Sequence, residues 1–237
     1  TNAASGAGTD GSGTAGDSFA ATASPTTAQG AAGSAASFMQ TMRKQDAHSS
    51  ALTEDVIARI RGCCGNDVCA ECGAREPQWA VINRGILVCV ECSGVHRSLG
   101  THLSRVRSLA LDRWMPESVL FLTRLGNAHN NAVYEETLDP AQKPGAAAER
   151  AARDHFIAAK YQQRQYVRRV ADSVEQCNAA LFKAVSSADH VAGTTDAVRA
   201  LAAGADVNCV DNDGLTPLFR CVAASNLLAL EMLVQNG

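Results

Sequence analysis

The sequence predicts an α+β protein: a small four-cysteine metal module surrounded by helices, followed by an α-helical repeat segment. Three observations predict it. Two C-x-x-C pairs stand sixteen residues apart. Two short apolar runs between them, split by a turn, read as a hairpin. Near the C-terminus a turn followed by Thr-Pro-Leu opens a helical pattern. The 237 residues are 46% apolar, enough to core one or two domains. A formal net charge of −3 is too weak to mark a nucleic-acid binder by bulk electrostatics. No apolar run approaches the ~18 residues of a membrane span, and the stretch from Thr1 to Gly16 lacks the basic and apolar regions of a signal peptide. The chain opens on Thr1 and stops inside a repeat at Gly237, so it reads as a fragment. Nine cysteines, an odd number without secretory features, argue against a disulfide scaffold and for a reducing compartment.

Residues 1–50 read as a disordered low-complexity tail or linker. Ala, Gly, Ser or Thr fill 31 of the first 40 positions, too little apolar surface to offset the entropy of ordering the chain. A helix follows through Leu52, Val56, Ile57 and Ile60, with Ser50 or Thr53 to cap it and Gly62 to end it. Gly65-Asn66-Asp67 turns the chain into the first cysteine pair. Trp79, Val81 and Ile82, then Asn83-Arg84-Gly85, then Ile86, Leu87 and Val88 make the hairpin. Ser93 to Leu99 opens a helix or turn, and from Pro116 the residues Val119, Leu120, Leu122 and Leu125 recur at helical spacing. A basic amphipathic helix is expected over 149–171. Phe156, Ile157, Tyr161, Val167 and Val170 form its apolar side, and Lys160, Arg164, Arg168 and Arg169 a solvated face.

Residues 173–237 carry the repeats. Asp213-Gly214, Thr216-Pro217-Leu218 and the earlier run Asp196 to Leu201 with Gly204-Ala205-Asp206-Val207-Asn208 resemble ankyrin units. The first unit lacks Thr-Pro-Leu and carries about four extra residues near 188–195, a length read against the usual repeat period. Two such units rarely stand alone, so they must pack on a neighbouring domain or continue.

Cys69-x2-Cys72-x16-Cys89-x2-Cys92 is the strongest chemical signal. Each knuckle places two thiolates on one turn, and the excursion between them is long enough to fold the pairs into a tetrahedron. Four thiolates leave no open position, so one structural Zn2+ is expected, whose loss costs the fold. Cys63 and Cys64 are spare, and Cys177, Cys209 and Cys221 read as small apolar residues. The spacing alone does not select a function, because GATA-type fingers, RING-like modules and ribbons share related arrangements.

Arg97 lies five positions after the last ligand, in Cys92-Ser93-Gly94-Val95-His96-Arg97-Ser98-Leu99-Gly100. With the cage this resembles the Arf GTPase-activating (ArfGAP) domain, whose signature is C-x2-C-x16-C-x2-C-x4-R. The likeness runs from Gly65-Asn66 and Trp79 through His102 to Leu109, Leu111-Asp112-Arg113-Trp114 and Gly126-Asn127-x3-Asn131-x2-Tyr134-Glu135 to Ile157-x2-Lys160-Tyr161. The domain is taken as 51–172. With the repeats, the chain is similar to the branch that joins ArfGAP to ankyrin repeats, often behind BAR and PH domains.

The resemblance implies a GTPase activator for Arf-family GTPases, acting in vesicle-mediated transport from the cytoplasm with recruitment to endosomal, Golgi or plasma membranes. Arg97 is expected to be the arginine finger, a permanent charge with planar paired donors inserted in trans where hydrolysis develops charge on the phosphates. Trp79, Ile86, Leu99 and Asp112 are expected to be sensitive positions, the apolar three packing at the GTPase surface, or Trp79 in the core beneath the hairpin, and Asp112 orienting Arg97. His96 and His102 are expected to be structural, and Arg105 and Arg107 to meet an acidic GTPase patch or anionic lipid. Val81 and Arg84 depart from the family's usual residues; Arg84, at the hairpin tip, is expected to bear on partner choice.

The chain is expected not to be an enzyme itself, since it has no G-x4-G-K-[ST] loop and the nucleotide, magnesium and water-positioning glutamine would belong to GTP-loaded Arf. Two alternatives stand beside this. One is an inactive Arf-GTP-binding scaffold. The other, a GATA-like DNA reader, requires a basic tail after the cage, whereas residues 93–113 hold four arginines and no lysine and lead toward an acidic repeat segment. No nucleic-acid partner is therefore expected, and the ankyrin partner is unspecified.

Overall fold

The computed structural model describes residues 52–168 and 173–237. The expectations for the tail, and for Ser50, Arg169 and Val170, lie outside them. Helix α1 spans Glu54–Arg61, with Thr53 at its N-cap position and Gly62 at its C-cap. Val56, Ile57 and Ile60 are its buried stripe, as their i, i+1, i+4 spacing requires. Strands β1 (Trp79–Val81) and β2 (Ile86–Val88) form the expected antiparallel hairpin, pairing Trp79 with Val88 and Val81 with Ile86. A third strand, β3 (Val106–Ser108), pairs antiparallel with the other edge of β1, giving the order β2-β1-β3. Gly85 holds φ +68° in the hairpin turn, and a Cβ there would lie 2.6 Å from a Phe121 ring carbon, so conformation and space both demand glycine.

The helices close on the two faces of this small sheet. α2 (Val90–Ser98) starts at the last cysteine knuckle. α3 (Pro116–Arg124) opens on Pro at its first turn, where the missing N–H costs no helical bond. α4 (Gly126–Tyr134) follows after one residue, and α5 is Arg150–Tyr161. One apolar cluster joins Val81, Ile86, Val88, Val95, Tyr134, Phe156, Ile157 and Tyr161 around the cysteines. A second, on the opposite sheet face, joins α1 with Ala80, Leu87, Leu109, Val119 and Leu122.

Asn127 is the hinge between these layers. Its side-chain oxygen accepts the Leu87 N–H at 2.7 Å, and its amide donates to Val68 and Gly65 carbonyls at 2.7 and 3.1 Å. Asn66, fully buried, donates to the carbonyls of Ile60 and Leu122 and accepts the Asn127 N–H.

The expected long basic helix is shorter. α5 ends at Tyr161, and Arg164 has a left-handed φ of +53°. The assignment of Lys160 to a solvated face is corrected: its side chain is fully buried. Positions 153, 156, 157 and 160 fall on one helical face, so the stripe that buries Phe156 and Ile157 also buries Arg153 and Lys160.

The repeats form two antiparallel helix pairs, α6 (Val174–Val185) with α7 (His190–Ala203) and α8 (Pro217–Ala223) with α9 (Leu227–Asn236). Thr216 caps α8 by accepting the Phe219 N–H, and Asp211 accepts the N–H groups of Asp213 and Leu215 across the turn. The pairs pack on the metal domain, α9 against α3 and α7 against α4. Phe121 and Leu125 lie in the core of the repeats, beside Leu181, Ala200, Leu228 and Met232. Ser118 donates to Glu231 at 2.6 Å, and Asn236 donates to the Asn83 carbonyl at 2.9 Å. The neighbouring domain thus covers part of the repeats' apolar surface, while Phe219, Val222, Leu227 and Val234 stay exposed. Among the described residues no helix is long and apolar enough to cross a membrane.

Candidate metal centre and arginine site

The hairpin and α2 bring the two cysteine pairs together. The sulfurs of Cys69, Cys72, Cys89 and Cys92 all lie within 4.8 Å of one another, and all four residues are buried. Cys72 Sγ stands 3.7 Å from Cys89 Sγ. Sulfurs about 2.3 Å from a tetrahedral ion lie about 3.8 Å apart, so donor set and spacing fit one ion held by four thiolates. Cys63 and Cys64 stay outside this cluster, bonding instead to the carbonyls of Arg59 and Thr123. Cys177 and Cys221 are buried in the repeats, and burial pushes the Cys221 thiol up to about 12.

A cation buttresses the cage. Arg153 Nη1 points at Cys92 Sγ from 3.3 Å and at Cys89 Sγ from 3.7 Å, while its other nitrogens donate to the Ala146 and Ala148 carbonyls at 2.6 and 3.0 Å. Four thiolates around a divalent ion sum to net negative charge, which a buried guanidinium offsets and which in turn favours the thiolate form.

Behind the cage runs a buried polar network. Glu71, in the loop between Cys69 and Cys72, accepts from Lys160 at 2.9 Å and Tyr161 at 2.8 Å, with a His96 ring nitrogen at 3.4 Å. Lys160 also donates to Glu135 at 2.7 Å and to Asn131 at 2.9 Å. Burial alone would raise the Glu71 carboxyl, but Lys160 and His96 outweigh it and hold the group well below the usual carboxylate range. Burial likewise opposes the Lys160 charge, and the Glu71 and Glu135 carboxylates reverse that and raise it. His96 completes its bonding at Ser104, 2.9 Å away, a structural role as expected.

Arg84 is not a surface residue of the hairpin tip. Its guanidinium lies over the Tyr134 and Tyr161 rings at 5.1 and 5.5 Å, donates to the Tyr134 hydroxyl and reaches the Leu103 carbonyl at 3.3 Å. An inward-facing cation there holds the hairpin to α4 and α5, which corrects its expected role in partner choice.

Arg97 is exposed on the last turn of α2, and its guanidinium lies 4.4 Å above the Trp79 ring. Such stacking fixes the plane of an otherwise mobile side chain. Ser93, one turn earlier, accepts a weak bond at 3.4 Å. The other expected site residues separate by burial. Ile86 is fully buried and Leu99 only 7% exposed, so both lie in the core and not on the surface where they were expected. Asp112 accepts the Ser108 N–H at 2.6 Å, and among the described residues no ion pair joins it to Arg97. The arginine thus stacks on Trp79, and Asp112 bonds the backbone of Ser108.

Arg153 and Glu71 carry no expectation from the sequence, and Lys160 was expected on the opposite, solvated face. The signal was present as helical phase, since both α5 cations sit on the buried stripe.

Residues 54–170 match the family model named ArfGap and described as "Putative GTPase activating protein for Arf", and residues 181–234 match a model for ankyrin repeats. The human "Arf-GAP with coiled-coil, ANK repeat and PH domain-containing protein 3" is 43% identical over 49% of this chain and 14% of its own length. The Arabidopsis thaliana "ADP-ribosylation factor GTPase-activating protein AGD3" is 42% identical over 59% of this chain and 20% of its own. A Gallus gallus protein named as the second of the human protein's series is 44% identical over 48% of this chain and 15% of its own length. The chain thus spans about a fifth or less of the curated relatives it matches. One expectation is corrected by these matches. The chain was placed outside enzyme function, whereas the relatives are named GTPase-activating proteins, stimulators of GTP hydrolysis and so enzyme activators.

Proposed function

We propose that this chain, whose residues 54–170 match the ArfGap family model and residues 181–234 a model for ankyrin repeats, stimulates GTP hydrolysis by a GTP-loaded Arf-family GTPase through Arg97. The observation that carries this reading is an exposed guanidinium, stacked at 4.4 Å on Trp79, at the end of the helix that begins in the cysteine cage.

A small GTPase hydrolyses slowly because charge developing on the transferring phosphate is under-stabilised. An arginine supplied in trans is worth ~10³–10⁵ in rate, roughly 4–7 kcal/mol of barrier. That gain requires the charge to be held in place before the partner arrives. Trp79 holds the guanidinium plane, and Leu99 and Ile86 fill the core beneath it. Asp112 fixes the turn that follows β3 by holding the Ser108 N–H. One Zn2+ ion in the Cys69, Cys72, Cys89 and Cys92 cage would act as a structural brace, with no open position for water. The reaction would take place on the cytoplasmic side of endosomal, Golgi or plasma membranes, where the chain is peripherally recruited.

The test is single-turnover hydrolysis by a panel of GTP-loaded Arf proteins. Arg97→Lys keeps a positive charge but loses the planar fork. The expected outcome is a fall in maximal stimulated rate of at least about a hundredfold, with metal content and thermal midpoint unchanged. A Lys variant that stimulates as well as the parent refutes the finger.

A further inference from the structure

The cysteine cage is not closed alike on all sides. Cys92 is fully buried and Cys69 and Cys72 are 2% and 4% exposed, whereas Cys89 is 8% exposed, so the cage comes nearest to solvent at its second knuckle. A guanidinium meets that knuckle. Arg153 Nη1 stands 3.3 Å from Cys92 Sγ and 3.7 Å from Cys89 Sγ, and Cys89 Sγ also accepts the Cys92 N–H at 3.5 Å. Arg153 is itself buried, yet among the described residues no carboxylate pairs with it. A buried charge without a counter-charge is costly, and the sulfurs are the groups placed to supply one.

The arginine is aimed from outside the cage. Its Nε donates to the Ala148 carbonyl at 3.0 Å and its Nη2 to the Ala146 carbonyl at 2.6 Å. Those carbonyls belong to the segment leading into α5, which is closed by the Ala148 N–H on the Gly145 carbonyl at 3.0 Å. α5 packs on α2, and Arg153 shares its buried stripe with Phe156, Ile157 and Lys160. A planar fork can bond two carbonyls and still present a third nitrogen to sulfur. A lysine ammonium on its flexible stem cannot hold all three in one geometry.

We propose that Arg153 sets how long the centre keeps its ion: the buried guanidinium, held by the Ala146 and Ala148 carbonyls, offsets the excess negative charge of the cage at Cys89 and Cys92. The inference rests on the reading of the four cysteines as a metal cage, and not on the role given to Arg97. Two effects of the N–H···S contacts oppose each other. Donation to a sulfur draws electron density from it and weakens that one metal–sulfur bond. Offsetting the net charge of four thiolates around a divalent ion relieves repulsion among all four sulfurs. In the low dielectric of a core the second effect is the larger, so the arginine slows release.

The test uses the full chain loaded with Zn2+ alone and, in parallel, with Co2+ alone, whose thiolate charge-transfer absorption reports on the sulfurs directly. Release of Zn2+ is timed after addition of excess chelator. Arg153→Gln removes the charge and keeps a hydrogen-bonding side chain. Its release is expected to be at least about tenfold faster, the scale on which partners of metal ligands act. Its cobalt band should move to longer wavelength, because sulfurs without a neighbouring cation give up electron density more readily. Arg153→Lys keeps the charge and loses the fork, and its release should stay within threefold of the parent. Parent-like release from the Gln variant overturns the proposal. Faster release with an unmoved cobalt band also overturns it, since the residue would then act by packing alone. Where the Gln variant fails to take up metal, the Lys variant decides. Release within threefold of the parent supports the charge, and release tenfold faster shows that the carbonyl tethers hold the ion in, which overturns it. A parent chain that binds neither ion fails the cage reading itself, a result seen before any variant is compared.

Discussion

Lys160 carries a long charged side chain into complete burial, where desolvation costs several kcal/mol per ion unless partners compensate. Here they do: Glu71, Glu135 and the Asn131 side-chain oxygen surround the ammonium within 2.9 Å. Lys160→Met removes the cation and leaves Glu71 buried against Tyr161 and His96 without its main counter-charge. The expected destabilisation is about 3–5 kcal/mol, read from the midpoint of urea unfolding. The paired change Lys160→Met with Glu71→Gln should recover part of that loss, because the orphaned charge is gone. A loss under 1 kcal/mol in the single variant would show the pair to be energetically idle. The same reasoning explains why the residue misled a reading by character: lysine is rarely buried, and only helical phase, three residues after Ile157 and four after Phe156, placed it on the inner stripe.

At the scale of elements, the parts with strong local signals were legible. The Val56-Ile57-Ile60 stripe ended by Gly62 specified α1, and Asn83-Arg84-Gly85 between apolar runs specified the hairpin. The cage was legible because thiolate chemistry fixes its spacing. β3 was not, since three residues including an outward Arg107 carry no alternation long enough to register, and its strand state comes from pairing with β1. α4 was hidden too. Its buried positions are Gly126, Asn127, Asn130, Val133 and Tyr134, two of them asparagines that favour turns in isolation and are helical here because Asn127, Asn130 and Asn131 bond the knuckle and α5. At the site, Arg97 was singled out through the resemblance to the ArfGAP signature and not by spacing alone, while its stacking on Trp79 required the packing to be seen. Strands of three residues add little stability of their own, so the domain is expected to depend on an ion held in the cysteine cage. Chelation should therefore abolish the near-ultraviolet signal of the Trp79 region and the stimulated hydrolysis together, while the helical signal of residues 174–236 is partly retained. Retention of a native fluorescence spectrum after complete metal loss would contradict this.

At the scale of the molecule, the metal domain and the repeats share a core. Phe121 and Leu125 are covered by repeat residues, and Glu231 and Asn236 reach back to Ser118 and Asn83. Removing residues 173–237 bares both apolar side chains, each worth about 1.5–3 kcal/mol of burial. The thermal midpoint of the remaining domain is expected to fall by more than about 5 °C, with the maximal rate of stimulated hydrolysis kept, since Trp79, on which Arg97 stacks, packs against the cluster around the cysteines, to which the repeats contribute Ala202 and Val198 at one margin. A midpoint that does not move would mean the two parts are thermally independent.

The bond from Asn236 to the Asn83 carbonyl joins residues 153 positions apart. During synthesis the hairpin turn emerges long before the helix that closes over it. The nascent metal module must therefore survive with its Phe121 side uncovered while the repeats are being made. Termination before α9 would release a chain still sticky on its Phe121 flank, an early client for chaperones.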